Sequence, residues 1–232
     1  MTRQIIGIDF AYGNSWSDNY GRLKHQMEHD EGLLTGLKEL FLSVIQNGSI
    51  LKLRGQLNIA CIDCWDGYYV NGLNEFAEEI KKKRELIRQD SNSSVKDKIF
   101  AESNYIFHCH GYGVNIQESL SVYGPSKPKP LFNRSLETGT FPIYDYVICL
   151  DTMCNMSHQF QFSSLAKLIN MFGDKLILVW GKEGNTKLPE EIKHLFHSVR
   201  IYSEDLIERK LRDTCKNEYY KNNLLVFKKC WT

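Results

Sequence analysis

Ile5-Ile6-Gly7-Ile8-Asp9-Phe10-Ala11-Tyr12-Gly13-Asn14-Ser15 reads as a short buried strand that ends on an acid and then turns sharply. Every second residue after Asp9 is small: Ala11, Gly13, Ser15. Small side chains at that spacing let the backbone approach a nucleoside or an anionic group, and a helix start after the turn presents free N–H groups to it. An acid at the strand tip can fix the first backbone amides or a ligand amine. The plainer reading of the same residues is a buried strand followed by an ordinary polar loop.

The same pattern recurs outward from this stretch. Residues 57–62 form a second buried strand that closes on Asp63. A third, 105–109, ends in His110-Gly111-Tyr112-Gly113. A fourth, 146–150, is tipped by Asp151. Further strands are expected over 175–180, 199–202 and 224–227. Helices fall between them. Leu33, Leu34, Leu37, Leu40, Phe41, Val44 and Ile45 share one helical face that ends at Asn47-Gly48. Residues 50–53 follow as a short strand or an extended link. Leu73, Phe76, Ala77, Ile80 and Ile87 share a second face, with Glu78, Glu79, Lys81, Lys82, Lys83 and Arg84 as a solvated outer run. Leu165, Leu168, Ile169 and Phe172 form a third, stopping at Gly173-Asp174. Pro189-Glu190-Glu191 opens a fourth, with Pro in the first turn and acids at the positive end of the dipole. Residues 206–211 are helical as well. Alternating strands and helices predict an α/β, doubly wound, mostly parallel sheet covered on both faces, with the last strand returning antiparallel. Ligands of such sheets sit at the carboxyl ends of the strands, at the switch point. Asp9, Asp63, the segment His108 to His110, and Asp151 all fall at such ends.

The chain has 232 residues, enough for one large α/β domain, and 42% hydrophobic and 25% charged residues is an ordinary globular composition. A net charge of +1 gives no global basic field, so any nucleic-acid contact is local. No apolar run approaches the roughly 20 residues of a membrane span, and the first residues do not read as a signal peptide. The seven cysteines are odd in number, and Cys61, Cys64, Cys109, Cys149 and Cys154 lie in apolar or strand-like runs. That usage predicts reduced thiols and a cytoplasmic setting. Residues 123–142 carry four of the five prolines together with Lys127, Lys129 and Arg134, and read as a long loop able to meet phosphates.

Taken together, the chain resembles a class I S-adenosylmethionine-dependent methyltransferase over nearly its whole length. Asp9-x-Ala11-x-Gly13-x-Ser15 resembles the family's acid-x-Gly-x-Gly-x-Gly loop with two glycines replaced. The resemblance implies a Rossmann-like fold with a seven-stranded sheet in a single domain, 1–232, with S-adenosylmethionine as cofactor and S-adenosylhomocysteine as product. The distance from Gly13 to Asp63 implies an inserted helical segment around 20–55. Asp9, Ala11, Gly13 and Ser15 would meet the cofactor. Asp63 stands where the family clamps the ribose, Cys64 and Trp65 where adenine is flanked, and His108 and His110 where the family often has an acid near the adenine amino group. Residues 144–151 resemble the fourth-strand motif beside the methyl group, ending on Asp151. Within the family, 145–180 most resembles messenger-RNA cap guanine-N7 methyltransferases, particularly divergent ones from RNA-virus replicases. This implies an RNA 5′ end or other nucleotide as substrate and replication or capping proteins as partners. Asn155, His158 and Phe160 are the nearest guanine-holding candidates, and Glu218 is the nearest match to a late Glu on the guanine edge.

Guanine N7 has a lone pair and no proton, so its methylation needs no base, and no acid–base residue is assigned. For a ribose 2′-hydroxyl acceptor a base is required, and Asp151 with Lys182 is the pair to consider. Cys61 and Cys64 with His108 and His110 can also be read as a zinc site, but residues three apart on a strand face opposite ways. No metal is expected. Two other classes compete. A ribonuclease H-like nuclease would place metals on Asp9, Asp63 or Asp66, and Asp151. A degenerate methyltransferase fold would serve as a binding module.

Overall fold

The computed structural model describes residues 29–51, 55–62, 67–112, 131–132, 144–150, 172–179, 190–198 and 200–230. In chain order these form α1 (Glu31–Leu51), β1 (Gln56–Ile62), α2 (Tyr68–Gln89), α3 (Val95–Glu102), β2 (Ile106–Tyr112), β3 (Leu131–Phe132), β4 (Tyr144–Cys149), β5 (Phe172–Val179), α4 (Glu190–Ser198), β6 (Ile201–Ser203), α5 (Asp205–Thr214), α6 (Glu218–Asn223) and β7 (Leu224–Lys229). The expected opening strand and its loop, 5–15, lie outside the described residues.

The strands make one mixed sheet in the order β3-β2-β1-β4-β5-β7-β6. Pairing is parallel from β3 to β5, and β7 runs antiparallel to both β5 and β6. Six of these strands are close to expected positions. The two-residue β3 arises inside the segment read as a loop. β1 lies inside the sheet: Ile59 pairs with Cys109 on one side and Tyr146 on the other. Its carboxyl half is buried on both faces, which explains the unbroken Ile-Ala-Cys-Ile run. The resemblance makes 57–62 the second strand; among the described strands it is the first in chain order, with β2 and β4 on either side.

One face of the sheet carries Leu57, Ile59, Cys61, Phe107, Cys109, Tyr146, Ile148, Ile177 and Val226, packed with Leu33, Leu37, Phe41 and Ile45 of α1 and Val70, Leu73 and Ile80 of α2. Phe41 is fully buried and sits edge-on to Tyr146 at 5.1 Å and tilted to Phe107 at 5.6 Å. Truncating such a ring to alanine costs about 3–5 kcal/mol. On the other face Phe196 of α4 meets Phe227 at 4.4 Å, so helices cover both sides.

Several boundaries differ from expectation for identifiable reasons. α1 runs through Asn47-Gly48 to Leu51, absorbing residues read as a helix stop and a link. Gly48 is there for close approach: a Cβ would lie 2.4 Å from the Tyr105 ring. α1 precedes β1 in the chain. Arg84, read as part of a solvated run, is 3% exposed. β2 continues through His110, Gly111 and Tyr112, which pair with Ala60, Cys61 and Ile62 instead of turning. Phe172-Gly173-Asp174 begins β5 instead of ending a helix. α3 was missed although its signal is present: the Ser94 hydroxyl accepts from the Asp97 N–H at 3.1 Å, a capping residue three positions ahead of an acid. α6 was missed too, and Asn217 caps it by accepting from the Tyr219 N–H at 2.8 Å.

Candidate functional site

The strand order reverses between β1 and β4, because β1 leads on to β2 on one side while β4 lies on the other. The crevice beyond the carboxyl ends of these two strands is where a doubly wound sheet binds its ligand. In sequence, Asp63 directly follows β1 and Asp151 directly follows Leu150. Asp63, Cys64, Trp65, Asp151, Asn155, His158, Phe160 and Lys182 lie outside the described residues, as do Asp9, Ala11, Gly13 and Ser15, and the loop residues Lys127, Lys129 and Arg134. What the structure describes is the frame around that crevice.

After residues 63–66 the chain enters α2 at Gly67, whose φ of 80° is left-handed backbone that glycine adopts without a side-chain clash. α2 therefore starts at the rim. α1 starts there as well, because it runs from this rim to Gly48 beside Tyr105, at the amino end of β2. The link from α5 to α6 completes the frame: α6 leads into Leu224, which pairs with Val179 at the carboxyl end of β5.

Asp30 ties these three segments together. It is 2% exposed. Its Oδ1 accepts from the backbone N–H of Leu33 at 2.9 Å and of Lys216 at 3.0 Å, and its Oδ2 from Asn217 N–H at 2.6 Å. The Asp30 N–H donates to the Tyr69 hydroxyl at 3.1 Å. A buried carboxylate needs such donors, and charge-assisted bonds of this kind are the strong ones. Beside it, His29 lies flat on Tyr68, with centroids 4.2 Å apart and planes 6° apart. Gly32 and Gly36 let α1 reach this position: a Cβ on Gly32 would meet the Thr214 carbonyl oxygen at 1.9 Å, and one on Gly36 the Thr214 hydroxyl at 2.2 Å. Sequence reading missed His29, Asp30, Tyr68, Tyr69 and Lys216. The available signal was Asp30 as an N-cap three residues before the first fully buried leucine of α1.

Three expected site residues are described. Glu218 stands in the first turn of α6, at this rim, exposed and 3.7 Å from Lys221. His108 and His110 are not at a strand tip. His108 pairs with Asn58 in the amino half of β2. There it lines a groove of about 610 Å³ with Gln56, Asn71, Asn74, Glu78 and Lys81. Burial, and then the Lys81 ammonium, push its pKa down. His110 pairs with Ala60, sits 4.5 Å from the His108 ring and 5.8 Å from Tyr144, and is lowered to about 4 by burial and by His108. The strand goes on past both residues to Tyr112, so they stand within β2 and not at its end. Cys61 packs in the core on the opposite face from these two rings, because it pairs with Gly111. Among the described residues no cluster of metal-ligating side chains forms. Cys61, Cys109, Cys149 and Cys215 are buried thiols that form no disulfide, and burial raises Cys109 far above its usual value. Asn74 seals the outer edge of β2, donating to the Cys109 carbonyl at 2.8 Å and accepting from its N–H at 2.9 Å, as a neighbouring strand would. Among the described residues no helix is long and apolar enough to cross a membrane.

No family model matches the chain, and no curated protein does. Among solved structures it is similar to magnesium protoporphyrin IX methyltransferase from Synechocystis PCC 6803. The complex with S-adenosylhomocysteine aligns at 14% identity and TM-score 0.43, covering 96% of this chain and 99% of that one. The complex with S-adenosylmethionine aligns at 13% identity and TM-score 0.43, covering 96% and 94%. A Bacillus halodurans protein named as a candidate methyltransferase aligns at 8% identity and TM-score 0.37, covering 81% and 94%. The first two alignments span nearly the whole chain and the third about four fifths of it.

Proposed function

We propose that this chain is an S-adenosylmethionine-dependent methyltransferase that acts on RNA in the cytoplasm, with the cap guanine N7 as acceptor. One observation carries the reading. The sheet is mixed, its last strand returns antiparallel, and its order reverses at β1 and β4, the two strands that run into Asp63 and Asp151. A carboxylate at such a strand end accepts from the two vicinal hydroxyls of a ribose, and a second acid beside it favours the sulfonium charge.

The chemistry this frame would host is a direct displacement. The N7 lone pair forms a bond to the methyl carbon as the carbon–sulfur bond breaks, and the sulfur keeps that pair. Positive charge passes from sulfur to the guanine ring and no proton moves. The protein's task is alignment, which by itself can supply several kcal/mol of the barrier. Asp63 would hold the ribose, and Glu218, at the rim, would stand on the acceptor side.

Calorimetry with S-adenosylhomocysteine tests the cofactor half. Asp63→Ala is expected to abolish binding while circular dichroism and melting stay near wild type. An unchanged affinity refutes the clamp. Transfer of labelled methyl to capped guanosine-started RNA, with uncapped RNA and 2′-O-methylated caps alongside, tests the acceptor. Label that appears only when the first ribose hydroxyl is free would move the reading to 2′-O transfer.

A further inference from the structure

In β2 the even-numbered residues turn their main-chain groups towards β1, as the Ile106 N–H does to the Gly55 carbonyl, and the odd-numbered ones turn theirs to the outer edge. The fold seals that edge position by position. Just before the strand, the Tyr105 carbonyl accepts from Arg84 at 2.8 Å. The Asn74 carboxamide takes both groups of Cys109, at 2.8 and 2.9 Å. Gly111 lies against β3. Phe107 is the exception: among the described residues no partner meets its outward N–H and carbonyl, although the residue is only 2% exposed. Its ring is held in the core beside Phe41 and Phe76, so its main chain is what borders the groove of about 610 Å³. A buried rung left unpaired is destabilising. A longer β3 cannot fill it. In the register that pairs Gly111 with Leu131, the carbonyls of Cys109 and Phe107 would need the N–H groups of residues 130 and 128, and both are proline.

Asn74 shows what fits such a rung. One primary carboxamide sets a donor beside an acceptor, matching the carbonyl and N–H of one residue. Over the open rung, α2 carries Glu75, Glu78 and Lys81 on successive turns that continue from Asn74. Lys81 pairs with Glu78 at 2.6 Å, and no cation is bonded to Glu75 among the described residues. The three side chains therefore hold one negative charge in excess.

We propose that this groove binds a small zwitterion bearing a primary carboxamide, the chemistry of free glutamine and asparagine. The carboxamide oxygen accepts from the Phe107 N–H, and its amino group donates to the Phe107 carbonyl. The ligand ammonium lies between Glu75 and Glu78. Its α-carboxylate meets Lys81, whose pairing with Glu78 is exposed and costs little to rearrange. Glutamate has the same size but offers acceptors only. It leaves the Phe107 carbonyl unpaired and sets another negative charge beside two acids. The groove lies along the amino half of β2, away from the crevice, so the proposal is independent of the methyltransferase reading.

The test is titration of the isotope-labelled folded chain with L-glutamine, L-asparagine, L-glutamate and propanamide, following the Phe107 amide by NMR and affinity by calorimetry. Glutamine or asparagine is expected to shift that amide and slow its hydrogen exchange about tenfold or more. Glutamate should bind about tenfold more weakly or worse, because a buried carbonyl stays unpaired. Propanamide, which has no charged head, should move the same amide at higher concentration. Glu75→Ala should weaken the amino-acid amide severalfold and leave propanamide unchanged. Glu75 is exposed, so the melting temperature should stay near wild type. A Phe107 amide that no carboxamide moves, or that exchanges in the free chain as slowly as its strand neighbours, overturns the site. Equal affinity for glutamine and glutamate overturns it as well. Propanamide moving Phe107 where neither amino acid does overturns the zwitterion.

Discussion

Asp30 and Arg84 are buried ions at opposite ends of the sheet, and the fold accommodates them in different ways. At the carboxyl rim, Asp30 gathers backbone N–H groups from three positions on two distant segments. At the amino end, Arg84 donates to the Tyr105 carbonyl at 2.8 Å and spreads over the Phe100 ring at 4.5 Å. Burial, and then Arg88, lower its pKa to about 10, so its charge is tolerated there more than it is stabilised. The anion organises a rim on which separate chain segments meet. The cation seals a seam between α2, α3 and the start of β2. The end of the molecule assembled from distant segments is the one that faces the crevice.

The largest effect should come from Asp30→Ala, which leaves buried amides without acceptors and should cost about 3 kcal/mol, read as a lower urea midpoint. If it costs less than the Arg84 variant below, the contrast drawn here is wrong. Gly32→Ala should come next, at about 2 kcal/mol, because its methyl would collide with the Thr214 backbone oxygen and push α1 off α5. Arg84→Met should cost only about 1 kcal/mol: the stem still packs on Phe100, a buried charge is removed, and one carbonyl loses a donor.

The last prediction concerns pH. His110 titrates near 4 in the folded chain and near 6.5 when unfolded. The unfolded chain therefore binds more protons between those values, and stability falls as pH drops from about 6.5 towards 4. Between pH 6.5 and 5 this amounts to at most about 2 kcal/mol, less with solvent screening. His110→Phe should flatten the slope of the urea midpoint against pH in that window. An unchanged slope would mean that the ring is charged or well solvated in the native state.

Much of the sheet was legible because buried parallel strands are apolar on both faces, as in Leu57 to Ile62 and Tyr146 to Leu150. Their order was not. Residues 57–62 look the same whether a strand is first or second, since burial patterns carry no information about which neighbour sits where. Boundaries failed where a tertiary contact overrode a local signal. Gly48 reads as a helix stop until the Tyr105 ring is seen against it, and Gly111 reads as a turn until Cys61 is seen paired with it. Arg84 reads as surface because its neighbours Lys81, Lys82 and Lys83 are.

By itself, then, the sequence determined the alternation of strands and helices, the antiparallel return of the last strand and the acids that follow β1 and β4, because these rest on local periodicity and on residue type. Only the tertiary structure decided that residues 56–62 lie between β2 and β4, that His108 and His110 lie within a strand, and that His29, Asp30, Tyr68 and Lys216 share one rim. Those facts depend on hydrogen bonds between residues as many as 187 positions apart, and no local pattern encodes a partner at that distance.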